Sequence, residues 1–95
     1  LSAGYPREVA VTGVALSPKT ASKAAGATQQ FTPTVSPAGA TNKDVTYASS
    51  NANVATVDAS GLATVKSGAT TGQTATITVR TEDGGFTDTA VITVS

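Results

Sequence analysis

Hydrophobic and polar residues alternate along most of this chain with a period of two, and no stretch keeps an apolar face at the three-to-four residue spacing of a helix. The alternation is cleanest near the C-terminus. There Ala75, Ile77 and Val79 oppose Thr74, Thr76 and Thr78, and Ala90, Ile92 and Val94 alternate with Thr89, Val91 and Thr93. Glu82-Asp83-Gly84-Gly85 separates the two runs, so they are expected to form a hairpin. A second hairpin is predicted where residues 54–57 and 62–65 flank Asp58-Ala59-Ser60-Gly61. Before it, Val45, Tyr47 and Ser49 share one face of a strand that follows the turn formers of residues 36–42.

The first third of the chain is less regular. Val9 and Val11 share one parity and Val14 and Leu16 the other, with Thr12-Gly13 at the change. A one-residue shift of parity is what a bulge produces, so a bulged or sheet-switching edge strand is predicted, ended by Ser17-Pro18. Residues 20–25 carry alanines but no apolar stripe and stop at Gly26, and are expected to be a connecting segment. From Thr28 to Val35, Phe31, Pro33 and Val35 alternate with Thr32 and Thr34; Pro33 has no N–H to donate and is expected at an edge or a bulge.

About seven short strands in this length predict an all-β domain of two antiparallel sheets packed face to face. A closed barrel is the competing all-β arrangement. Small residues at inward positions, Ala55, Ala63, Ala75 and Ala90, favour two closely spaced sheets over a wide lumen. The expected interior comprises Phe31, Val45, Tyr47, Val57, Ile77, Val79 and Ile92.

Length and charge narrow the function classes. The 95 residues suffice for one domain, read as residues 9–95, with residues 1–8 as a linker or N-terminal extension. Six basic and six acidic side chains cancel without forming a run, so nothing steers the chain toward nucleic acid or an anionic membrane. No apolar stretch approaches the roughly 20 residues of a membrane helix.

Candidate chemistry is sparse. The chain has no histidine and no cysteine, the residues that most often act as neutral-pH base, thiol nucleophile or zinc ligand. Asp44, Asp58, Glu82, Asp83 and Asp88 fall in or beside turns, where Asp commonly bonds its own backbone. Glu82-Asp83 with Asp88, or Asp58 with nearby carbonyls, offers oxygen ligands of the kind calcium takes, without the spaced Asp run of a dedicated loop. No catalytic residue, metal ligand or cofactor site is therefore assigned. Of the four aromatics, Phe31 and Tyr47 are expected in the core and Phe86 over one end of the sandwich, with exposure as its alternative; Tyr5 falls in the linker. Lys19, Lys23, Lys43 and Lys66 are scattered among turns and strand ends and form no patch.

Several strings, in this order and spacing, resemble the group 2 bacterial immunoglobulin-like domain. They are Val11-Thr12-Gly13-Val14-Ala15-Leu16-Ser17-Pro18, Ala40-Thr41-Asn42-Lys43-Asp44-Val45-Thr46-Tyr47 and the central run from Ser49 to Val65. Thr76-Ile77-Thr78-Val79, Asp83-Gly84 and Val91-Ile92-Thr93-Val94 complete them. The resemblance spans nearly the whole chain and implies an immunoglobulin-like sandwich without enzymatic activity. It implies a module of a phage virion protein or a bacterial surface protein, aiding weak attachment to cell-surface glycan or acting as a structural spacer among other domains of a parent protein. The chain departs from that pattern at Tyr47, where a larger Trp is usual, at Pro33, and in the longer loop of residues 67–73.

Overall fold

The computed structural model describes residues 9–95, all of whose regular structure is β. Nine strands follow one another: β1 (Gly13–Ser17), β2 (Thr20–Lys23), β3 (Thr28–Gln30), β4 (Thr32–Ser36), β5 (Val45–Ser49), β6 (Ala55–Val57), β7 (Leu62–Val65), β8 (Thr74–Thr81) and β9 (Thr87–Val94). One sheet has the order β2-β9-β8-β5. The facing layer consists of β3-β7-β6 and the pair β1-β4, and only Phe31 separates β3 from β4, so a single run of chain joins the two pieces. The layers meet as an immunoglobulin-like sandwich. The expected linker at residues 1–8, including Tyr5, lies outside the described residues.

The two hairpins form as the alternation requires. In β8 and β9 the register pairs Ala75 with Ile92 and Ile77 with Ala90, and all four are buried. The β6–β7 hairpin pairs Ala55 with Val65 and Val57 with Ala63 across the turn at Asp58–Gly61. Alternate side chains of both layers enter one core, where Phe31, Leu16, Val54, Val65, Ile77, Val79, Ile92 and Val94 are essentially sealed from solvent. Val45, Tyr47 and Val57 are half-buried at its margin. The four inward alanines are buried at 0–1% exposure, which lets the layers approach closely.

The switch of parity in the first strand is explained by pairing. Ser36 is the register partner of Gly13, yet its carbonyl also accepts the Thr12 N–H at 2.7 Å. Two residues opposite one is the arrangement of a bulge, and it lets Val11 and Leu16, of opposite parity, both be buried. Pro33 lies opposite Leu16, whose N–H turns away from β4 to a carboxylate at 2.6 Å, so the missing proline donor falls outside the ladder.

Residues 20–25 are not the connecting segment that their composition suggests. Thr20–Lys23 form β2, which pairs in parallel with β9 from Thr20 opposite Val91 to Lys23 opposite Val94. The Lys19 and Lys23 carbonyls accept the N–H groups of Val91 and Ser95. Ala21 is the only apolar residue that β2 turns toward the core, too small and too isolated to leave a periodic signal. The count thus rises from about seven to nine because β2 goes unseen and because one predicted strand is divided at Phe31.

Gly61, in the β6–β7 turn, has φ of 85°, and a Cβ there would lie 2.7 Å from the Phe31 carbonyl oxygen and 2.9 Å from the Tyr47 hydroxyl. No other residue fits without displacing backbone. Truncating Phe31 to alanine is expected to destabilise the domain by about 3–5 kcal/mol, read as a lower urea midpoint with an unchanged slope. Gly61→Ala should destabilise the domain by more than ~1 kcal/mol, because alanine is incompatible with the positive φ at that position, and a midpoint equal to wild type in either variant would contradict this packing.

Candidate functional site

The outer surface of the β2-β9-β8-β5 sheet is the most distinctive surface of the molecule. Outward positions recur at every second residue, and the register aligns them in rows across the strands. Thr74 lies opposite Thr93, which lies opposite Ser22; Thr76 lies opposite Val91, which lies opposite Thr20. Further along, Thr78 sits between Thr89 and Ala48, and Arg80 between Thr87 and Thr46. Of these twelve positions all but Val91, Ala48 and Arg80, nine in number, carry a hydroxyl. Threonine suits the place because its branched Cβ fits a pleated surface while its hydroxyl faces solvent. Among the described residues the side-chain hydroxyl bonds lie elsewhere, at Thr12, Thr41, Ser49, Ser50, Ser60 and Thr81, so the nine are free of protein partners there.

The ionisable groups sit at the ends and edges of the sandwich. Asp58 accepts bonds from the Ser60 hydroxyl (2.7 Å) and from the N–H groups of Ser60 (2.9 Å) and Leu62 (3.0 Å), which closes the β6–β7 turn. Chiefly the Ser60 hydroxyl, then the Leu62 N–H, hold its carboxyl below the usual carboxylate range. Asp88 forms an ion pair with Lys19 and accepts the Leu16 N–H, and these two bonds, the Lys19 one foremost, lower its pKa as well. Asp83 accepts the Val11 N–H at 3.1 Å, and the Asp44 carbonyl accepts the Glu82 N–H at 2.9 Å. Asp58 thus closes its own turn, as the sequence suggests for a turn carboxylate, whereas Asp83 and Asp88 accept the N–H groups of the distant Val11 and Leu16 instead of bonding their own turns.

The calcium-like grouping of Glu82, Asp83 and Asp88 does not come together. An open cleft of about 500 Å³ is lined by Val9, Ala10, Thr41, Asn42, Glu82 and Asp83, but Asp88 is turned to Lys19 and Leu16. Among the described residues no three acidic side chains gather into a metal-binding set.

The aromatic residues divide cleanly. Phe31 is fully buried, and Tyr47 packs half-buried on the core with its ring over Gly61. Burial, and secondarily the negative charge of Asp58, push the Tyr47 hydroxyl above its ordinary pKa. Phe86 does not cap the core; it is 39% exposed and belongs neither to the main core nor to the smaller buried cluster of Val11, Val35 and Ala40. It lies back over its own turn, where a Cβ on Gly84 would come within 2.6 Å of the ring. The turn itself is built on Thr81, a buried threonine whose hydroxyl donates to the Asp83 carbonyl (2.8 Å) and accepts the Phe86 N–H (2.9 Å).

The loop of residues 67–73, read from sequence as this chain's most individual surface, is two consecutive turns tied to β9. Gly72 N–H donates to the Val94 carbonyl at 2.7 Å, and Gln73 closes on Thr70 through both its backbone and its side chain.

Because the folded-state pKa values of Asp58 and Asp88 are depressed, their contribution to stability is complete above the unfolded carboxylate value of about 3.9. It is lost as pH falls through the lower folded-state values. Melting curves from pH 7 to pH 2 should fall off below about pH 4. Asp88→Asn should melt lower than wild type at neutral pH and lose less on acidification; parallel pH profiles for the two proteins would refute the role given to Asp88.

Comparison with known proteins adds a family and two relatives. Residues 10–92 match the bacterial Ig-like domain (group 2). An "Ig-like virion protein" of Serratia phage KSP90 is 47% identical over 94 residues, an alignment covering 92% of this chain and 33% of that protein. A "Kappa-carrageenase" of Pseudoalteromonas carrageenovora is 42% identical over 87 residues, covering 92% of this chain and 21% of the enzyme. The chain therefore spans a third or less of the length of these two relatives, each of which has further sequence beyond the matched part.

Proposed function

The chain belongs to the group 2 bacterial Ig-like domains, and on that premise we propose that it is a non-catalytic accessory module of a virion or bacterial surface protein, adding weak contact to cell-surface carbohydrate. The observation that carries the reading is the 47% identity to an Ig-like virion protein of which the module forms 33%. The carbohydrate contact draws on the hydroxyl-lined sheet surface, where Arg80 is the one charge among twelve outward positions, and on the occurrence of the same module in a kappa-carrageenase.

Weak contact is physically sufficient where many copies act together. Linked or arrayed copies make each later binding event intramolecular, and avidity can exceed single-site affinity by about 10² to 10⁴. The known residue chemistry agrees with a binding rather than a catalytic role: Asp58, Asp83 and Asp88 hold turns and strand ends together. A second reading, a purely structural spacer, draws on the geometry of the ends, since the described chain enters beside the β8–β9 turn and leaves at the far end of β9.

The two readings separate in one measurement. Beads bearing many copies of the domain should be retained on whole Serratia envelopes, chosen for the host of the virion relative, while the isolated domain is not. Retention no greater than that of bare beads, on envelopes and on a glycan array alike, would leave the spacer reading standing and remove the adhesive one.

A further inference from the structure

We propose that the polysaccharide-contacting surface is the outer face of the β2-β9-β8-β5 sheet, and that it takes a neutral, hydroxyl-rich chain; this rests on the attachment reading above. The face is built on the continuous β8–β9 ladder, each strand eight residues long, with β2 extending it at one end and β5 at the other, so that every row described above is three strands wide. The positions that carry its hydroxyls repeat with the strand spacing of about 4.8 Å across the sheet and the two-residue rise of about 7 Å along each strand. Each donates one hydrogen bond and accepts two, which matches sugar hydroxyls that do the same.

Rigidity favours the match. The branched Cβ of threonine restricts χ1, so fewer side-chain conformations are lost when Thr78 or Thr89 is engaged than with a long polar chain. The charge pattern selects a neutral partner. Arg80 is the sole charge among the twelve outward positions, and Glu82 and Asp83 stand in the turn just beyond it, where they would repel a polyanion.

The same pattern disfavours a protein partner, since protein interfaces centre on aromatic or long aliphatic anchors and this face offers only Val91 and Ala48. The opposite layer is a poorer platform. It is broken at Phe31, and there the Gln30 amide folds back onto the carbonyls of Phe31 (2.8 Å) and Ser60 (3.0 Å). With no aromatic side chain among the twelve outward positions of this face for sugar stacking, a single copy binds weakly and only an array holds.

The test uses hydroxyl removal that keeps the branched side chain. Beads carrying the Thr78→Val/Thr89→Val variant should lose about tenfold or more of wild-type retention on surface polysaccharide extracted from Serratia cells. Thr34→Val, exposed on β4 of the opposite layer, should retain as wild type, and melting curves confirm that each variant folds. Equal retention by all three proteins overturns the assignment of this face and leaves attachment intact. Failure of wild-type beads on both the extract and whole envelopes overturns attachment and this assignment together. Retention of wild type on immobilised heparin in preference to the extract overturns the neutral partner.

Discussion

The fold depends on the division of its first strand between two sheets. β1 pairs with β4 in one layer, and three residues later β2 pairs with β9 in the other. A strand that changes layers leaves backbone donors without a ladder partner, and a buried donor left alone costs about 1–3 kcal/mol. Asp88 resolves this by reaching from β9 to the Leu16 N–H while pairing with Lys19 at the crossing itself. At the opposite margin the Ser49 hydroxyl of β5 donates to the Ala55 carbonyl of β6 at 2.6 Å, so a polar bond also closes the sandwich there. The apolar interior supplies the bulk of the stabilisation, and these two contacts settle how the layers are joined.

Much of this was legible in the alternation of side chains. Ile77, Val79, Ile92 and the inward alanines are where period two places them, because both hairpins bury one face and a register slip would expose it. The parity change at Thr12-Gly13 correctly marked a bulge. β2 was illegible for a physical reason: parallel pairing with β9 is made by backbone, and its side chains contribute only Ala21 to the core. Phe86 misled because a large apolar residue after a Gly-Gly turn resembles a cap, whereas Gly84 gives the ring a seat on its own loop.

The candidate face was only half readable. The run Thr74-x-Thr76-x-Thr78 announces a polar strand surface, but its continuation through Thr93, Ser22 and Thr20 requires knowing that β2 stands beside β9. Turn carboxylates were easier, since Asp58 bonds Ser60 and Leu62 within its own loop and such bonds are local in sequence. Long-range partners such as Asp88 with Leu16 leave no spacing signature at all.

Parallel pairing of β2 with β9 also governs how the domain responds to tension. A pull on the chain entering β2 and on the chain leaving β9 drags the two strands past each other along their length. The bonds joining them, including Lys19 carbonyl to Val91 and Lys23 carbonyl to Ser95, are then loaded together in shear instead of opening one after another. Such a clamp yields only when several bonds fail at once, so a module tethered at both ends can transmit drag between its neighbours while its own core stays closed.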